Sequence, residues 1–208
     1  MLNCTGAVEG TGYDGVKTFT CTNDGKLAVD TYDVIAIVDS NYYIGESYDG
    51  FTVFDPSLGF ATGGGWFYWP GTTDKTTFGF TMKYNKKAKN VQGNLLVIRH
   101  HADGTISRLK SNALDGLALK NSKGCGIATF SGKATYMTWD PEANEGLGGY
   151  VNTGGNSFTV YAEDCNQPGT GIDRFWIRAV DKLLMANSAT SNAVKIGGGN
   201  IVIPHTPK

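Results

Sequence analysis

Two triglycine blocks constrain this chain more than any other feature. Gly63-Gly64-Gly65 runs into Trp66, and Gly197-Gly198-Gly199 runs into Asn200-Ile201 much later in the sequence. Glycine weakens a strand interior, because it loses the most conformational freedom on folding and brings no side chain to pack. A run of three inside apolar, strand-forming sequence therefore marks a place where another backbone or a ring comes very close. The two blocks are expected to lie side by side, pairing the first and last strands of one domain and closing its sheet. Two unrelated bulges are the alternative.

The rest of the composition agrees with strands and turns. The 208 residues include 29 glycines, 10 Phe, 10 Tyr and 4 Trp, and only 18% are charged. Aromatic side chains suit a pleated, half-buried surface, and no stretch holds a sustained helical period of apolar residues. Strands are expected at about 5–10, 16–21, 26–29, 31–38 and 50–54. After these come 59–68, 76–84, 91–100, 105–110, 115–119, 126–131, 133–138, 157–164, 173–180 and 196–203. Phe78, Phe80, Met82 and Tyr84 alternate along one face of their strand. Asn94-Leu95-Leu96-Val97-Ile98 is apolar on both faces and reads as central. Asp181 to Ala193 is the one helix candidate, and its Ser, Asn and Thr content makes it a poor one.

Asp55-Pro56-Ser57 punctuates the chain and is taken as a boundary. Residues 1–55, with a hairpin turn at Asn23-Asp24-Gly25, read as a small, incomplete immunoglobulin-like β-module. Its open edge needs covering by the second domain, by an upstream strand or by another chain. Residues 56–208 read as an antiparallel β-sandwich or jelly-roll-like domain. The fold class expected is all-β.

Cysteine placement points to an oxidising compartment. Cys4 with Cys21, and Cys125 with Cys165, form two pairs with no zinc-type spacing, so two disulfides are expected in an extracellular or cell-surface protein. Met1-Leu2-Asn3-Cys4 runs directly into polar sequence, so an export signal is expected upstream of Met1. Net charge is −1, which offers no field for nucleic acid. The longest apolar run is far short of the roughly 20 residues that span a membrane as a helix.

The stretch Val53-Phe54-Asp55-Pro56-Ser57-Leu58-Gly59-Phe60-Ala61-Thr62-Gly63-Gly64-Gly65-Trp66-Phe67 resembles the start of a C-terminal β-domain called the post-COAP domain. Thr76 to Tyr84, Gly93-Asn94-Leu95, Phe158-Thr159-Val160, Pro168 to Ile177 and Gly197 to His205 continue the likeness, which covers roughly residues 53–205. The resemblance implies a domain that ends large secreted bacterial surface proteins, after immunoglobulin-like or polycystic-kidney-disease-type repeats. It implies no activity and brings no catalytic residues. The cysteines depart from the family pattern.

Candidate sites follow from residue chemistry. No nucleophile elbow surrounds any serine, and adjacent His100 and His101 would point to opposite faces of a strand, so no enzyme is expected. Trp66, Trp69 and Trp139 are the candidate sugar-binding rings. Trp66 should share a face with Tyr68, and Phe67 with Trp69. Asp164, Asn166 and Asp173 sit in an oxygen-rich loop and are the candidate calcium ligands, with ordinary turns as the alternative. Asp140 to Glu145 is a second such loop. No other cofactor is implied. Lys83, Lys86, Lys87 and Lys89 read as a solvated hairpin tip. The expected function is a non-catalytic extracellular surface module for adhesion or assembly, whose partners are other copies of itself or neighbouring surface domains. A carbohydrate-binding module with polysaccharide as partner is the alternative.

Overall fold

The computed structural model describes residues 59–85, 90–179 and 193–204 in full, together with the strand placement of 7–9, 17–19, 30–39, 44–53 and 183–184. In chain order the strands are β1 Ala7–Glu9, β2 Lys17–Phe19, β3 Asp30–Asp39, β4 Ile44–Val53 and β5 Phe60–Tyr68. Then come β6 Lys75–Asn85, β7 Asn90–His100, β8 Ile106–Ser122, β9 Cys125–Asp140 and β10 Gly149–Asp164. The last are β11 Arg174–Ala179, β12 Leu183–Leu184, β13 Val194–Lys195 and β14 Gly198–Val202. The all-β expectation holds.

From β5 to β11 every strand pairs antiparallel with its successor, so the main sheet is a single meander. It curls round its own core, and the strand order lacks the crossovers of a jelly roll. The two ends are bonded to one short segment. Val194 and Lys195 pair with β11, while Gly198 to Val202 pair with β5. The triglycine blocks meet there as expected, with Gly199 opposite Gly65 and Asn200 opposite Gly64.

The glycines are needed for that meeting. A Cβ on Gly65 would stand 2.1 Å from the Gly198 carbonyl oxygen. One on Gly199 would stand 2.1 Å from the Gly64 carbonyl, and Gly199 also has φ +101, where L side chains are strained. The indole of Trp66 lies over the same segment, 2.5 Å from where Cβ atoms of Gly197 and Gly198 would be.

Inside the curl, alternate residues build an aromatic core. Phe78 stacks on Phe175 with ring centroids 4.1 Å apart, and Phe67 and Phe80 flank the pair. Phe130, Leu95, Leu109 and Ile177 fill the remainder, all fully buried. Each such side chain contributes roughly 1.5–3 kcal/mol on burial. The other face of β7 to β9 has its own smaller cluster of Leu96, Ile98, Ile106 and Met137. This matches the expectation that the β7 run is apolar on both faces. The β3–β4 ribbon lies against β5, β6 and β7.

Several expected breaks are absent. The segments 105–110 and 115–119 are one strand, β8, with register shifts between Ser111 and Ala113 and between Leu114 and Gly116. These bulges absorb Asn112 and Asp115, whose polar character imitates a loop. Likewise Gly132 lies within β9, where a Cβ would stand 2.1 Å from the Ala113 carbonyl. The expected strand 50–54 is the end of a longer β4, paired along its whole length with β3. The boundary Asp55-Pro56-Ser57, the cysteines Cys4 and Cys21, Lys86, Lys87, Lys89 and most of the 181–193 helix candidate lie outside the described residues.

Replacing Gly65 by Ala should destabilise the fold by about 3 kcal/mol, since neither backbone can retreat without breaking the β5–β14 ladder. Ala at Gly154, where a Cβ meets nothing within 4 Å, should leave stability almost unchanged. Chemical denaturation of the two variants checks this; equal midpoints would contradict the closure.

Candidate functional site

The aromatic run on β5 divides as its alternation requires: Phe67 and Trp69 are buried, Trp66 is half-buried and Tyr68 is exposed. Trp66 is placed between the Gly197–Gly198 backbone and its neighbours: the Lys75 ammonium sits 4.9 Å from its ring centroid and Tyr68 meets it edge-on at 5.4 Å. Trp69 is only 7% exposed, and the Arg99 guanidinium stacks 4.7 Å from its ring. Trp69 is thus a core residue rather than an open ring, while Trp66, half-buried, packs on the glycines of the closing segment.

Trp139 is different. It stands on β9 directly opposite Tyr150 on β10, and the two rings meet at 80° with centroids 5.2 Å apart. Trp139 is 40% exposed and Tyr150 41%. Both rings are anchored. Gly148 lies so close to the indole that a Cβ would be 2.4 Å from Cζ2, and the Tyr150 hydroxyl accepts from the Ile106 N–H at 3.3 Å. Leu147, 86% exposed, follows in the β9–β10 turn. One step along the ladder, Arg108 and Asn152 flank Met137. A right-angled aromatic corner bordered by a guanidinium and an amide suits a ligand with apolar ring faces and hydroxyl edges. Sequence reasoning found Trp139 and missed Tyr150 and Leu147; the Gly148-Gly149 turn signal, which sets Tyr150 across from Trp139, would have located the first.

Of the oxygens assigned above to calcium, both of Asp173, Oδ2 of Asp164 and Oδ1 of Asn166 accept from backbone N–H groups. Asp173, fully buried, accepts from the Cys165 N–H at 3.1 Å and the Ile201 N–H at 2.9 Å. Asp164 Oδ2 accepts from the Ile203 N–H at 2.9 Å, and Asn166 Oδ1 from the Gln167 N–H at 2.9 Å. The two acids join the loop before β11 to β14. In the second oxygen-rich loop, Asp140 Oδ1 accepts from the Glu142 N–H at 2.9 Å, an ordinary turn contact.

Cys125 and Cys165 form a disulfide that joins the start of β9 to the end of β10. The Glu163 carboxylate lies near both sulfurs, but their bond to each other leaves no thiolate to ligate a metal.

One end of the curl contains an unanticipated polar cluster. Arg99 Nε donates to Asp74 Oδ2 at 2.8 Å, and Nη2 approaches the same oxygen at 2.7 Å. His101 Nδ1 lies 3.3 Å from that oxygen, and its Nε2 lies 2.7 Å from Ser107 Oγ. The order Asp–His–Ser is that of a hydrolase relay. Here Ser107 is 2% exposed and its hydroxyl lies 3.4 Å from Thr138 Oγ1, so a substrate carbonyl has no approach to it. The cluster fastens the turn before β6 to β7 and β8.

Burial works against the charged form of Asp74, but the Arg99 hydrogen bond and charge, with His101 behind them, outweigh it and hold the carboxyl below its ordinary 3.8. A lowered folded value means that this stabilisation is complete above the unfolded value and is lost as pH falls through the folded one. Asp74→Asn should cost about 2 kcal/mol at neutral pH and make the fall in stability below about pH 4 shallower. Melting curves across that range check this; parallel acid limbs in the two proteins would remove Asp74 from the account.

No family model, curated protein or solved structure matches the chain, so its function is read from this geometry and from the residues themselves.

Proposed function

We propose that this chain is a non-catalytic module of an extracellular surface, attaching its host to carbohydrate through the Trp139–Tyr150 corner. The observation that carries this reading is the exposure of two large rings held at a fixed right angle. Large aromatic side chains are ordinarily buried, and these two are anchored by contacts that leave their outer surfaces open. The rigid sheet beneath keeps the pair ordered before any ligand arrives, which lowers the entropy lost on binding. The Cys125–Cys165 bond supports an oxidising location. The post-COAP resemblance, carried by the quoted glycine blocks, supports placement at the end of a larger secreted protein. The buried serine of the Asp74–His101–Ser107 array supports a non-catalytic reading of the described residues.

Retention on insoluble polysaccharides tests the proposal. Trp139→Ala and Tyr150→Ala should each weaken retention by about tenfold while the thermal midpoint stays close to that of the parent. Absence of retention of the parent on every glycan tried would end the carbohydrate reading.

A second reading is assembly of copies through strand addition. Among the described residues β3 and β4 pair only with each other, which leaves strand edges of the kind that accept a neighbour's strand. Light scattering should then show concentration-dependent growth that changes when residues 1–21 are removed. A monomer at all concentrations would eliminate this route.

A further inference from the structure

At the far end of β9 from Trp139, five strands contribute one residue each to a single cross-strand row. Lys120 pairs with Ile127, Ile127 with Glu163, Glu163 with Arg174, and Arg174 with Lys195. They alternate with the fully buried Ala128, Ala162 and Phe175; the four charged members are exposed or half-buried, while Ile127 is buried in the core cluster. The row lines an open pocket of about 480 Å³ that Lys123, Tyr161 and Ile172 also border.

The pocket's charge is not inherited from composition. The whole chain is net −1, yet the described lining residues place Lys120, Lys123, Arg174 and Lys195 around a single carboxylate, Glu163. That carboxylate lies 4.0 Å from Arg174 Nε and beside Tyr161, whose side chain is almost wholly buried. One carboxylate offsets at most one of four cations, so the concavity keeps a positive potential that selects an anion.

The remaining chemistry narrows the class. Ile127, Ile172 and the Tyr161 ring give the pocket an apolar side suited to the face of a pyranose. Glu163 is an acceptor, which favours a ligand carrying hydroxyl donors and disfavours a dense dianion such as phosphate. Arg174 presents a planar fork that matches a carboxylate with two parallel bonds. We propose that this pocket binds the carboxylate of one uronate residue in an acidic polysaccharide. The site is distinct from the aromatic corner, separated from it by on the order of 40 Å of strand. Its charge requirement does not depend on what the corner binds.

Calorimetric titration of the full chain with tetragalacturonate tests the inference, with the methyl-esterified tetramer and polyglutamate as comparators. The acid should bind, with affinity falling as salt is raised, and the ester should bind about tenfold more weakly or not at all. Arg174→Gln combined with Lys195→Gln should weaken the acid by about tenfold or more with an unchanged melting point. Trp139→Ala should leave acid binding within about twofold, so failure of the aromatic corner and failure of this pocket are distinguishable. Equal binding of ester and acid, polyglutamate binding as tight as the sugar, indifference to the double substitution, loss on Trp139→Ala, or no binding of the acid would each overturn it.

Discussion

Everything in the main sheet depends on how closely two backbones approach where β14 lies on β5. The aromatic core requires the meander to curl, and a curled sheet leaves two exposed ladders unless its ends are joined. Here the join is made by Gly65 and Gly199, with the carbonyls of Gly198 and Gly64 filling the space where side chains would begin. Trp66 then covers the seam. A ring of its size over bare backbone supplies the burial that glycines cannot. Stability at this point is thus transferred from the glycines, which contribute none, to a neighbour that needs them small.

Two polar fastenings complete what packing starts. Asp173 and Asp164 receive N–H groups from the last strand, so the closing segment is held by carboxylates as well as by its ladder. Asp74 performs the corresponding task near the β6–β8 end through Arg99 and His101. Buried charge is costly unless fully partnered. Donors meet both oxygens of Asp173 and one oxygen of Asp164, and Asp74 is met by Arg99 and His101, so each acid is tied to the strand it fastens. Openly presented groups are found elsewhere: the Trp139–Tyr150 corner and the Lys/Arg-lined pocket.

Much of this fold was legible in the sequence because its strongest signals are steric. Triglycine inside apolar sequence admits few explanations, and the β5–β14 pairing followed from it. Alternation separated Trp66 and Tyr68 from Phe67 and Trp69 correctly, but exposure did not follow: alternation assigns faces and says nothing about which face is later covered. The Cys125–Cys165 bond was legible from pairing and compartment. The long strands β8 and β9 were not, because Asn112, Asp115 and Gly132 carry turn chemistry yet serve bulges and close approaches. The calcium reading met a related ambiguity. Asp and Asn in a loop offer the same oxygens to a cation and to a backbone N–H, and only three dimensions decide between them. The cationic pocket is a cross-strand property of β8 to β13, so its members are scattered in the chain and no local motif announces them.

The position of the closing strand along the chain sets when the fold can be finished. β14 is synthesised after every other strand of the sheet, and its partner β5 is the first strand of the meander. During elongation the hairpins from β5 to β11 can form locally and early, while both ladders remain open. Cooperative closure must await the final glycine block emerging from the ribosome. Until then the nascent molecule is vulnerable to edge-to-edge misassociation. An unfinished curl of this kind needs protection from its neighbours, and protease resistance of nascent chains should rise only once Gly198 to Val202 have been released.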